Sequence, residues 1–179
     1  MGQALCKSDG KSDYDDENII LTFFEENDIN DMYLTFTVAS ECYGVGVAFV
    51  TEIVAMPRLM EVPDVPDFIK GVINLRGKVV PVMDVRLRFG MTGKAYDERT
   101  IIVVLEIDGV PTGLAVDAVN DVLEFLPACI NHPPPFGANR EGRGVTKGIG
   151  KKLDKVAVLL DVRRLVSDQV IELRAGAEA

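Results

Sequence analysis

The sequence holds few side chains able to do covalent or metal chemistry. Its one histidine, His132, lies in INHPPPFG, where three prolines favour extended, exposed backbone, and neither a nucleophile nor an orienting carboxylate can be argued beside it. A single histidine excludes HExxH and multi-histidine metal sites, and GRGVTKGIGKK has the spacing of neither GxxxxGK[ST] nor GxGxxG. The adjacent acids Asp15-Asp16, Glu25-Glu26 and Asp97-Glu98 fall in tail or loop sequence and read as solvated charge. Cys6, Cys42 and Cys129 are odd in number, widely spaced and form no CxxC pair, so free thiols are expected and neither a disulfide framework nor a zinc site is suggested. No catalytic residue, metal or cofactor is expected. What does stand out is Arg76, placed at the corner of GVINLRGKVVPVMDVRLRFG, a strongly apolar hairpin over residues 71–90.

The elements that must position this arginine are short strands. YLTFTV alternates, with Leu34, Phe36 and Val38 on one face, and TIIVVLEI at 100–107 places Ile101, Val103, Leu105 and Ile107 inward. Glycines and prolines punctuate the strands at close intervals, the pattern of small barrels or sandwiches. The one helical pattern is the end of the chain, DVRRLVSDQVIELRA. In the second strand of the hairpin, Val79 and Met83 point one way while Val80 and Val82 point the other, so both faces are expected to be buried. Pro81 cannot donate to a ladder and favours an edge or a bulge.

Charge narrows the function classes. Of the formal net charge of -9, residues 1–31 carry nine acids and two lysines, leaving the remainder close to neutral. A nucleic-acid binder needs a basic stripe to replace phosphate counterions, and none is present. The densest basic stretch, Arg140 to Lys155, reads as a solvated loop. The acidic leader reads as a flexible tail, although IILTFF at 19–24 could dock or form a strand. Folded structure is expected to begin near Met32. No run approaches the roughly 18 apolar residues of a membrane span, and the leader lacks the apolar core of a secretory signal, so a cytoplasmic protein is expected.

The chain also repeats itself. Shifted by 69, Tyr33-Leu34-Thr35-Phe36 lies over Ile102-Val103-Val104-Leu105, Gly44 over Gly113, Val50 over Val119, and Glu52-Ile53 over Asp121-Val122. Shifted by 77, Lys70-Gly71-Val72 lies over Lys147-Gly148-Ile149, Lys78-Val79 over Lys155-Val156, and Asp84-Val85-Arg86 over Asp161-Val162-Arg163. The order is the same in both halves, which predicts two related β-lobes. A lobe of this size buries only about 60% of its unfolded surface alone, so the two are expected to lean on each other.

DFIKGVINLRGKVVPVMDVRLRFG at 67–90, YDERTIIVVLEIDG at 96–109, GLAVDAVNDVLE at 113–124 and KGIGKKLDKVAVLLDVRRLV at 147–166 together resemble the CheW family of chemotaxis coupling proteins. The resemblance implies a mainly β fold of two SH3-like five-stranded barrels packed together, with a short C-terminal helix. On that reading residues 1–31 are a tail and 32–167 the CheW-like domain. The first lobe then covers about 32–95 and the second about 96–167, strand exchange between them is left open, and 168–179 are the helix end and tail. It implies a non-enzymatic adaptor joining the cytoplasmic tip of a methyl-accepting chemoreceptor to the regulatory domain of a CheA-type histidine kinase. Such an adaptor is cytoplasmic and recruited to membrane-associated receptor arrays, without inserting in the bilayer. A coupling protein of a parallel pathway, such as gliding or twitching motility, would share every motif.

Residue by residue, Arg76 matches the family's NLRG arginine and Glu52 the glutamate of its VQEI segment, both implicated in partner contact. Val50, Ile53, Ile101, Val119 and Val122 match positions around the groove between barrels, where a receptor tip is expected; each could equally be core. Gly71 matches the IKG glycine, a backbone requirement, and Gly77 sets the hairpin turn. The acidic leader and VAMPRLMEVPDVP depart from the family's usual wording, so partner preference can differ here.

Overall fold

Strand β6 (Ile101–Ile107) carries apolar side chains on both faces, and both are covered. Val103, Leu105 and Ile107 join one large cluster, as the alternation predicts, while Ile102 and Val104 enter a second cluster on the opposite face. Strand β1 (Met32–Val38) behaves alike: Leu34, Phe36 and Val38 join the large cluster, and Tyr33 a third one with Phe125, Ala157 and Leu159. A middle strand buried on both faces requires material on each side. The computed structural model, which describes residues 29–132 and 144–166, supplies it as two sheets sharing a central apolar layer.

The strands in chain order are β2 (Glu41–Gly46), β3 (Val50–Ala55), β4 (Ile69–Leu75), β5 (Lys78–Asp84), β6, β7 (Val110–Val116), β8 (Ala118–Glu124), β9 (Ile130–Asn131), β10 (Thr146–Lys152) and β11 (Lys155–Leu160). One sheet has the order β8-β1-β2-β11-β10-β9 and the other β3-β6-β7-β5-β4. The fold is mainly β, as expected, with the two-residue β9 adding a sixth strand to one sheet. The short helices α1 (Val85–Arg88) and α2 (Val162–Leu165) follow β5 and β11, each capped by the aspartate before it: Leu87 N–H donates to Asp84 and Arg164 N–H to Asp161. The rest of the predicted C-terminal helix, from residue 167, lies outside the described residues.

The sequence repeat maps strand for strand: β1, β2 and β3 correspond to β6, β7 and β8, and β4, β5 and α1 to β10, β11 and α2. Yet neither sheet is made from one half. β1 and β2 sit with β8, β10 and β11, while β6 and β7 sit with β3, β4 and β5, so the lobes exchange strands. Four pairings join the halves: β1–β8 and β3–β6 are antiparallel, while β2–β11 and β5–β7 are parallel and include Leu159↔Gly44 and Val82↔Gly113. Both glycines sit at close quarters: a Cβ on Gly44 would stand 2.9 Å from Leu159 Cδ2, and one on Gly113 2.8 Å from Ile102 Cγ2, so a larger residue would make those side chains shift.

Two expectations for β5 are refined. Val79 is not buried but 61% exposed, because β5 meets β7 only from Val82 onward and the turn end of the hairpin projects beyond it. Pro81 sits in an inner strand without cost. Its antiparallel partner Val72 exchanges both backbone bonds with Met60, so Pro81 faces β4 at a position that needs no donor, and on its other side the ladder to β7 has not begun.

Candidate functional site

The β4–β5 turn is a two-residue loop between paired Leu75 and Lys78, with Arg76 at φ 52 and Gly77 at φ 81. Positive φ at both positions is what a tight hairpin matching the strand twist requires, and it suits glycine better than arginine. Gly77 N–H donates to Asn74 Oδ1 at 2.9 Å, fixing the loop. Arg76 reaches from its tip to Glu52 on β3, Nη2 to Oε1 3.1 Å, with the arginine side chain 84% exposed. Glu52 is positioned by a bulge between Val50 and Glu52, where Thr51 Oγ1 donates to Val104 O at 3.2 Å.

β3 and β4 are opposite edges of their sheet. An ion pair from the β4–β5 turn to β3 therefore spans the two edges, and the sheet must curl until they meet. The other sheet has a related ion pair, from an inner strand to one edge. Lys155 on β11 donates to Asp121 on β8 at 2.9 Å, and Asp121 is the repeat partner of Glu52. Its backbone is held by Thr35, whose hydroxyl donates to Asp121 O at 2.7 Å and accepts Asp121 N–H at 3.1 Å. Lys155 corresponds to Lys78, however, and the position of Arg76 is taken by the exposed Leu153 at φ 54.

Ile53 and Val122 are exposed, and they too are repeat partners, so they lie on two related edges in different sheets. Val50, Ile101 and Val119 are half-buried against the central layer. Val50 and Ile101 stand at opposite ends of the β3–β6 pairing, where Val50 pairs with Leu105 and Ala55 with Ile101. Gly71 has φ 144, and a Cβ there would fall 2.1 Å from Met60 O, a place only glycine can hold. Sequence reasoning missed Val79, Val156 and Leu153, all exposed apolar side chains beside the two ion pairs. The repeat carried the signal, since Val79 and Val156 are partners in it just as Ile53 and Val122 are.

No nucleophile emerges among the described residues. His132 is exposed at the end of the described stretch. Burial pushes the Cys42 thiol up, against weaker opposing pulls from Asn120 and Lys155, away from the thiolate a nucleophile needs. The expectation of three free thiols holds for Cys42 but is corrected at Cys129, which is disulfide-bonded; an odd count leaves one thiol over and does not forbid a pair. Cys6, like Asp15-Asp16 and Glu25-Glu26, lies outside the described residues. Asp97 is a loop carboxylate accepting Arg99 N–H at 2.8 Å. No helix among the described residues is long and apolar enough to cross a membrane.

A model of the CheW-like domain matches residues 32–170. The chain belongs to the CheW-like domain family. It is 34% identical over 145 residues to the chemotaxis protein CheW of Klebsiella aerogenes, spanning 81% of this chain and 87% of that one. With the CheW of Helicobacter pylori the identity is 26% over 142 residues, 79% of this chain and 85% of the relative. The crystal structure of the scaffolding protein TtCheW from Thermoanaerobacter tengcongensis superposes with a TM-score of 0.69 at 33% identity, covering 78% of this chain and 94% of that one. The named relatives are chemotaxis and scaffolding proteins, and the surface described here sets exposed apolar side chains beside ion pairs, an arrangement suited to binding.

Proposed function

We propose that this protein is a non-enzymatic adaptor that couples the cytoplasmic tip of a methyl-accepting chemoreceptor to the regulatory domain of a CheA-type histidine kinase. It works in the cytoplasm at membrane-associated receptor arrays. The observation that carries the reading is the edge of the β3–β4 barrel. There Ile53 and Val79 are 46% and 61% exposed beside the Arg76–Glu52 pair, in a chain whose relatives are named as chemotaxis and scaffolding proteins. Exposed aliphatic strands supply apolar area, and a guanidinium with free donors supplies direction and register to a docking partner. Val50, Ile101, Val119 and Val122 flank the same layer and are proposed to shape the receptor contact.

The test is calorimetric titration of the purified chain with a CheA-type regulatory domain, without nucleotide or metal. Binding in the roughly micromolar range is expected. Failure to bind any kinase encoded in the same cell would reject the adaptor reading. Measuring kinase activation with receptor added then separates coupling from mere attachment.

A further inference from the structure

The repeat gives the molecule two related pockets, and the described residues fill only one of them. In the first, Asp84 and Arg86 from the β5–α1 junction face Ala115 on β7 and Asp117 just after it. The segment leading into β6 passes through it: Tyr96 Oη donates to Asp84 Oδ2 at 2.6 Å, Arg86 pairs with Asp117, and about 10 Å³ is left. In the second, the repeat partners Asp161 and Arg163 face Gly46 and Ala48, and the cavity is about 330 Å³. Ala48 stands where Asp117 would be, and Arg163 pairs outward with Asp108, while Asp161, also on the lining, is engaged by Arg164. Lys147 also lines the cavity; it donates to Tyr33 Oη at 2.8 Å and meets no carboxylate among the described residues.

The segment that would correspond to the plug is the one leading into β1. Shifted by 69, Thr92-Gly93-Lys94-Ala95-Tyr96-Asp97 lies over Phe23-Phe24-Glu25-Glu26-Asn27-Asp28. Ile29 and Asn30 already line the open cavity, so the chain enters at its rim. Six residues span at most about 20 Å, ample to fold back into it. The chemistry is complementary with the signs exchanged. In the filled pocket a plug lysine, Lys94, lies near Asp117 and helps hold that carboxyl down. In the open one the plug would bring acids to Lys147 and Arg163, and two phenylalanines to a lining that includes Phe49, Leu160 and Val162.

We propose that residues 23–28 of this same chain dock in the cavity between β1 and α2, as residues 92–97 do in its counterpart, so that the end of the acidic leader is a structural plug and the rest of it a tail. Tryptophan is absent from the sequence, which makes Phe24→Trp a sole reporter. In the full chain Trp fluorescence should be blue-shifted and several-fold less quenched by acrylamide than in urea. Adding Ala48→Glu, at an exposed lining position, should red-shift it and restore quenching while far-UV circular dichroism stays unchanged. Should that variant misfold, Glu25→Lys with Glu26→Lys should reduce the shielding by itself, since both lie upstream of the first strand. Emission already solvent-like in the full chain, or shielding untouched by either set of changes, would overturn the proposal. Shielding that grows with protein concentration would assign the cavity to a second copy and overturn it equally.

Discussion

Arg76 on the β4–β5 turn stands 3.1 Å from Glu52 on β3, and the two residues join the opposite edges of one sheet. A related pair in the other sheet, Lys155 with Asp121, runs from the inner strand β11 to the edge strand β8. Both pairs are exposed to solvent screening, so neither contributes much to folding. Their consequence is positional, since they lie among the exposed apolar side chains Ile53, Val79, Val122 and Val156.

Thermal unfolding should be a single transition. Neither sheet is built from one half of the chain, and the central layer draws Leu34 and Phe36 from one sheet and Val103 and Leu114 from the other. Unfolding one sheet would pull strands from both halves and strip the shared layer. Differential scanning calorimetry should give equal calorimetric and van't Hoff enthalpies. Two separated peaks would show that the sheets are stable independently.

Ser40→Gly should stabilise the protein by about 0.5–1 kcal/mol. The β1–β2 turn places Ala39 and Ser40 at φ 51 and 71, both in the left-handed region, whereas its repeat partner uses Asp108 and Gly109. Glycine removes the Cβ penalty at the second position, as it does in the partner turn. Urea titration checks the sign; a midpoint that falls would mean the serine makes an unrecognised compensating contact.

Gly71→Ala should cost about 2–4 kcal/mol, combining a backbone conformation alanine resists with collision against the Met60 carbonyl. A variant as stable as the parent would show that the 56–68 connection moves aside freely.

Much of this was legible in the sequence because the period-2 alternation and the repeat are properties of the chain itself. Leu34, Phe36 and Val38 face the central layer as read, and the same-order matches in the two halves align every major strand. Strand exchange was not legible. The repeat says that β2 resembles β7, but not whether β2 lies against β5 or β11, and that choice depends on tertiary fit at Gly44 and Gly113. Val79 misled because alternation specifies a face and not how far along the strand its neighbour extends. The Arg76–Glu52 pair was conceivable from sequence; that it bridges two sheet edges required the topology.

Acid should expose the role of Asp117. Burial alone would raise its pKa, but the Arg86 guanidinium, the Ala39 N–H and the charges of Arg86 and Lys94 hold it below its ordinary 3.8. A depressed folded value means its contribution is fully present above about 3.8 and is lost as pH falls through the lower folded value. Asp117→Asn should therefore cost about 1–3 kcal/mol at pH 7 and progressively less below the unfolded value. Urea midpoints of parent and variant measured across acid pH should converge; a constant gap would mean that packing, not charge, is what the aspartate supplies.

The last prediction separates the two roles of Arg76. Arg76→Ala should lower stability by under about 1 kcal/mol, since the pair is solvated and the turn is fixed by Gly77 and Asn74. If the exposed guanidinium also meets a partner, losing that charge-assisted hydrogen bond should weaken association by about 1.5–3 kcal/mol, roughly ten- to a hundredfold. Arg76→Lys should restore only part, because an ammonium lacks the planar fork. The decisive variant is the exchange Arg76→Glu with Glu52→Arg. It keeps an ion pair across the sheet edges while reversing the charge shown to a partner, so stability should return to within about 0.5 kcal/mol of the parent. Partner binding and kinase activation should not recover. Recovery of both would place the function of Arg76 wholly within its own fold, as a clasp for the barrel; loss of both stability and binding would mean the geometry of the turn, not the charge, carries the coupling.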